Sequence, residues 1–128
     1  MKKNELITKF MQSLKKSGRF YSPHKATKEK FFGLFDIIAM DLEHYSSKIV
    51  LFAIAKDEED LLKQEYDIDE FIEEFNYYNA YIVLKTENGW RLREIWYDGY
   101  SSCGGLVYED YFYDENLNEV DHNEKKKR

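Results

Sequence analysis

The residues of this chain best suited to covalent chemistry fall in one short run, Ser101-Ser102-Cys103-Gly104-Gly105. A cysteine thiolate in a glycine-rich loop can act as a nucleophile, and neighbouring backbone N–H groups can stabilise an oxyanion. Such chemistry also needs a base, and the three histidines, His24, His44 and His122, stand in no recognisable spacing to Cys103. The run therefore reads as a hairpin loop carrying an incidental cysteine. The same scattered histidines and single cysteine form no metal-ligand pattern. Asp57-Glu58-Glu59-Asp60 lacks the alternating ligands and central glycine of a calcium loop. Gly104-Gly105 lacks the Lys-Ser/Thr and following helix of a phosphate-binding loop. No catalytic residue, metal or cofactor is expected, and the chain reads as a binding protein rather than an enzyme.

A denser constellation surrounds that loop. Tyr97, Asp98, Tyr100, Tyr108, Glu109, Asp110, Tyr111, Tyr113, Asp114 and Glu115 interleave aromatic rings with carboxylates. Tyrosine brings a large, rigid contact area with a polar tip, and carboxylates beside it would meet Lys and Arg of a partner and speed encounter. Tyr97, Asp98, Tyr100, Glu109, Asp110, Tyr111, Tyr113, Asp114 and Glu115 are the candidate partner-binding residues.

The charge layout points the same way. The net charge is −6, but it is unevenly spread. Residues 1–30 carry nine Lys/Arg against two Glu, residues 31–124 carry six against twenty-three Asp/Glu, and the chain closes on Lys125-Lys126-Lys127-Arg128. An acidic body repels nucleic acid and attracts basic surfaces. A basic protein partner is expected, of the nuclease or nucleic-acid-binding effector kind, and no direct nucleic-acid binding. The expected function is inhibition or neutralisation of that partner, in the manner of immunity proteins and anti-defence inhibitors, whose carboxylates occupy a groove meant for phosphates.

These residues need a scaffold. At 128 residues the chain is long enough to bury a core without disulfides, and its 17% aromatic content supplies bulk for one. A single domain over residues 1–120 is expected, with 121–128 as a disordered basic tail. One cysteine fits a reducing compartment. The N-terminal lysines precede no apolar signal core, and the longest apolar run, Ile49 to Ala55, is too short to span a bilayer. A cytoplasmic protein with no membrane association is expected.

Leu6, Ile7, Phe10, Met11 and Leu14 predict a helix over residues 4–17 that ends at Gly18. Phe31, Leu34, Phe35, Ile38, Leu42 and Tyr45 recur every three or four residues and predict a second helix from Thr27 to Tyr45. Lys48 to Ala55 suits a strand buried on both faces, although its length alone does not exclude helix. Lys56 to Asn79 predicts an acidic helix with a break near Tyr66-Asp67. Asn88-Gly89 between two β-rich runs is a strong hairpin signal. With those two residues as the loop, Val83 would pair with Glu94 and Tyr81 with Trp96. Leu106 to Tyr113 alternates as a further strand, and Leu117 to Val120 starts a short last one. The fold class is then α+β, with N-terminal helices packed on one face of a C-terminal antiparallel sheet. The open face would be a candidate homodimer patch.

The run Glu87-Asn88-Gly89-Trp90-Arg91-Leu92 resembles the hairpin turn of cystatin-like and NTF2-like α+β rolls, in which helices pack into a curved sheet. That resemblance implies a second possibility for function: a small-molecule site or minor enzyme between helices and sheet, with Cys103, His44 or Tyr97 at its mouth.

Overall fold

The computed structural model describes residues 1–27, 29–41, 48–75, 78–99 and 105–120. Two helices and six strands are present among them: α1 (Lys3–Ser17), β1 (Phe20–Lys25), β2 (Ile37–Asp41), β3 (Lys48–Ala55), α2 (Glu58–Glu74), β4 (Asn79–Lys85), β5 (Gly89–Asp98) and β6 (Gly105–Asp114). The strands form one sheet in sequence order. β3 and β4 run parallel, joined through α2, and every other neighbouring pair is antiparallel. The class is α+β, but the sheet is mixed and does not follow the helices in sequence.

β3 shows why the layers form. Val50, Phe52 and Ile54 join the core beneath α1, whereas Leu51, Ala53 and Ala55 join the core beneath α2. A strand has a side-chain period of two, so a continuous apolar run supplies both faces at once. α1 lays Leu6, Ile7, Phe10 and Leu14 on the first face. α2 lays Leu61, Ile68, Phe71 and Ile72 on the second. The helices thus cover opposite faces of the sheet, not one. No helix among the described residues is long and apolar enough to cross a membrane.

The helix expected over Thr27 to Tyr45 is corrected. Residues 30–33 form a tight turn with left-handed backbone at Phe31, Phe32 and Gly33, and Ile37–Asp41 is strand β2, with residues 42–47 outside the described set. Gly33 interrupts the apparent helical stripe, and Ile37, Ala39 and Asp41 alternate buried against β3. The break expected near Tyr66-Asp67 is also absent. α2 is continuous, and its start is capped by Asp57, whose side chain accepts from the Asp60 amide at 2.8 Å.

The hairpin forms, in another register. Lys85 pairs with Trp90, Val83 with Leu92 and Tyr81 with Glu94. Thr86 N–H donates to the Gly89 carbonyl at 3.0 Å, so the two residues between this bonded pair are Glu87 and Asn88, one position earlier than Asn88-Gly89. Neither of those two residues has a positive φ. Gly89 is needed for another reason: a Cβ there would lie 2.0 Å from the Tyr113 carbonyl oxygen. The shift is two residues, so each side chain keeps its expected face. Among the described residues beyond β6, an isolated bridge, Tyr113 to Glu119, stands where a last strand was expected.

Candidate functional site

β5 and β6 pair along their whole lengths, from Gly89 opposite Asp114 to Asp98 opposite Gly105. Alternation then divides the expected partner-binding residues between two faces. Tyr97 and Asp110 lie on the α2 side, and Asp98, Glu109, Tyr111 and Tyr113 on the α1 side. Asp114 ends β6 and Glu115 opens the turn that follows it. Tyr100, the Ser101-to-Gly104 loop with Cys103, His44 and His122 lie outside the described residues.

The α2 side is an ion-pair seam. Arg93 binds Asp110 through Nε at 2.8 Å and Nη2 at 3.1 Å, and its Nη1 reaches Glu65 of α2 at 2.8 Å. Arg91 joins Asp110 at 3.1 Å and also binds Glu58. Tyr108 donates to Asp69 at 2.8 Å. These contacts fasten β5 and β6 to the helix, so Asp110 is engaged within the fold. Tyr97 is exposed on this side.

Burial works against ionisation of Asp110, but the Arg93 hydrogen bonds and the charges of Arg91 and Arg93 outweigh it and hold the carboxyl below its ordinary range. A depressed folded value adds stability that is complete above the unfolded carboxylate value of about 3.9 and fades as pH falls through the folded value. Asp110→Asn is therefore expected to cost about 1–2 kcal/mol at pH 7, the range for hydrogen bonds to charged groups discounted for partial exposure. The gap to wild type should narrow below about pH 4. Urea unfolding at both pH values checks this, and a gap that does not narrow would show that the pair is not linked to folding.

The α1 side differs. Glu94, a charged residue within the otherwise apolar alternation Trp90, Leu92, Trp96, is its hub. It accepts from Asn79 Nδ2 and from the Tyr81 hydroxyl, each at 3.0 Å, and from the Tyr111 hydroxyl at 3.4 Å. The single Tyr111 hydroxyl proton is shared with Glu109, the nearer acceptor, which stands directly opposite Glu94 across the strands. Burial and the neighbouring carboxylates push both tyrosines up from their ordinary values, so they remain neutral donors. No salt bridge joins either glutamate to a Lys or Arg among the described residues. Like charges placed opposite each other in a sheet repel. Arg19 lies nearby, bound to the buried Asp41 at 3.2 and 2.9 Å, and its charge works against the burial that pushes the Tyr113 hydroxyl up.

Two further expected residues have turn roles. Asp114 accepts from the amides of Asn116 and Asn118 at 2.8 and 3.0 Å, and these bonds lower its carboxyl value. Glu115 approaches Lys85 at 3.7 Å. Glu109, Tyr111 and Asp98 thus share a face with Glu94 and Trp96, residues that composition alone did not single out. The signal for Glu94 was its position, a carboxylate interrupting an apolar strand face. No group of three or more His, Cys, Asp or Glu residues is placed to hold a metal ion among the described residues. Comparison with protein-family models, with curated proteins and with solved structures finds no significant match.

Proposed function

We propose that this chain is a small acidic binding protein that inhibits a basic protein partner, of the nuclease or nucleic-acid-binding effector kind, through the α1-side face of β5 and β6. The observation that carries this reading is the cross-strand pair Glu94 and Glu109, whose hydrogen-bond donors among the described residues are all neutral. An incoming guanidinium or ammonium relieves the repulsion and gains charge-assisted hydrogen bonds. Trp96 and Tyr111 supply flat contact area beside the charges. The acidic body favours encounter with such a partner and disfavours nucleic acid itself.

A second reading is a small-molecule site. It is favoured by an apolar groove of about 560 Å³ over β1 and β2, lined by Ser22, His24, Phe31, Ile38, Met40 and Ile49 among others.

Affinity capture from an extract of the source cells, at low and high salt, separates the two. The partner reading expects a protein with a basic surface that is captured at low salt, released as salt rises, and lost at least about tenfold with Glu109→Lys. Capture that ignores both salt and the substitution would overturn it. Absence of a protein partner, with thermal stabilisation by apolar ligands, would favour the groove.

A further inference from the structure

Phe31, Phe32 and Gly33 lie in succession in the left-handed region, with φ of 51°, 59° and 71°. Glycine adopts that conformation freely, but a bulky residue there is a true outlier, and such strain gathers where a structure binds or switches. The turn sends Phe31 inward, among the rings of Phe35, Phe71 and Tyr78. It sends Phe32 outward, where the residue is 73% exposed. Core formation accounts for Phe31 and leaves Phe32 without a role.

Phe32 overhangs α2. Its ring stacks on Phe75 at 6.0 Å and meets the edge of Phe71 at 6.2 Å. Together with Leu34 these rings form an apolar cleft of about 440 Å³. The remaining lining is acidic: Asp67, Glu70 and Glu74, with no Lys or Arg among the described residues. Positions 67, 70, 71 and 74 make a single stripe on α2, and Phe75 follows at its C-cap, so rings and carboxylates stand side by side.

We propose that this cleft is a docking groove for a Lys/Arg-rich amphipathic helix of a partner protein. A bulky apolar side chain of that helix enters between Phe32 and Phe75, and its flanking cations meet Asp67, Glu70 and Glu74. Helix-in-groove recognition uses this combination of apolar anchor and complementary rim. The occupant follows from charge: an acidic or neutral helix would leave three carboxylates facing it unpaired. This groove adjoins α2, on the opposite face of the sheet from Glu94 and Glu109, and rests on separate observations.

The test uses the full chain and a short synthetic amphipathic helix of leucine, phenylalanine and lysine, followed by fluorescence anisotropy. Wild type is expected to bind it in a salt-dependent way. Phe32→Ser should weaken binding by about tenfold or more, as should Glu70→Lys combined with Glu74→Lys. Glu5→Lys, an equal charge reversal at an exposed position of α1, should leave binding unchanged, which separates the groove from a general charge effect. Circular dichroism confirms that the variants fold, and the charge pair keeps the test open should Phe32→Ser not fold. Equal binding by the groove variants and wild type would overturn the proposal. Equal binding of polylysine, or of the same peptide with glutamate for lysine, would do the same. Concentration-dependent self-association that Phe32→Ser abolishes, without peptide binding, would overturn it in favour of a second copy as the occupant.

Discussion

Asp41→Ala is expected to lower folding stability by about 3 kcal/mol or more, the range for breaking a buried ion pair. Asp41 is fully buried, whereas Arg19 keeps about a quarter of its side chain in contact with solvent, 27% against 0%. The two hydrogen bonds between them satisfy both carboxylate oxygens. Burial opposes the guanidinium charge, but Asp41 more than offsets this and holds Arg19 above its ordinary value, so the arginine stays protonated. Removing the carboxylate strands that charge against Phe20, over which it lies at 4.9 Å, and beside Tyr113. The pair ties the start of β1 to the end of β2, next to the exit of α1. Arg19→Met with Asp41→Leu should recover most of the loss, because two apolar groups need no partner. Chemical denaturation of the two single variants and the double variant gives the coupling directly. A cost under about 1 kcal/mol for Asp41→Ala would place the pair in the solvated class instead.

Much of the scaffold was legible wherever one physical signal dominated. α1 ends at Gly18, whose φ of 72° is what a helix C-cap glycine provides. β3 is a strand because its run of apolar and β-branched residues has two faces to fill. The stretch from Phe31 to Ile38 was misread because Phe31, Leu34, Phe35 and Ile38 satisfy a helical period while Phe35, Ile37 and Ala39 also satisfy a strand period. The choice was made by β3, which offers β2 an edge to pair with, and no local signal carries that fact. The same holds for the mixed sheet: parallel pairing of β3 with β4 depends on α2 crossing one face.

The candidate site was legible as a region, and its faces were not. Glu109 and Asp110 are neighbours in sequence, yet one faces the α1 side and the other binds Arg91 and Arg93 on the α2 side. Composition counts both as acidic surface. Only the register shows that Asp110 is occupied and that Glu109 stands opposite Glu94. Gly89 is similar: its turn was anticipated, but its close approach to the Tyr113 carbonyl depends on β6. Phe32 fell inside the helix expected from Thr27 to Tyr45 but off its apolar stripe, and the left-handed turn that exposes it had no local signature beyond Gly33.

Trp90→Ala is expected to cost about 3–5 kcal/mol, the range for truncating a buried aromatic residue. Trp90 is 1% exposed at the start of β5, and its ring meets Phe10 of α1 edge-on at 5.0 Å. Its Nε1 donates to the Ser13 hydroxyl at 3.0 Å, a buried bond between the sheet and the helix. Lys85 Nζ lies over the ring at 5.3 Å, so its stem covers the outer edge. Truncation would open a cavity under α1 and leave Ser13 without that donor. Three substitutions separate these effects. Trp90→Phe keeps most of the volume and loses the hydrogen bond, so it should cost less than Trp90→Ala. Ser13→Ala strands only the indole N–H and should cost about 1–3 kcal/mol. The difference between Trp90→Ala and Ser13→Ala then reports the packing of α1 on the sheet. Thermal and urea unfolding followed by far-UV circular dichroism measure all three. If Trp90→Ala costs no more than Ser13→Ala, the α1 layer is held by Phe10, Leu14 and their β3 partners alone, and the hairpin contributes nothing to docking the helix.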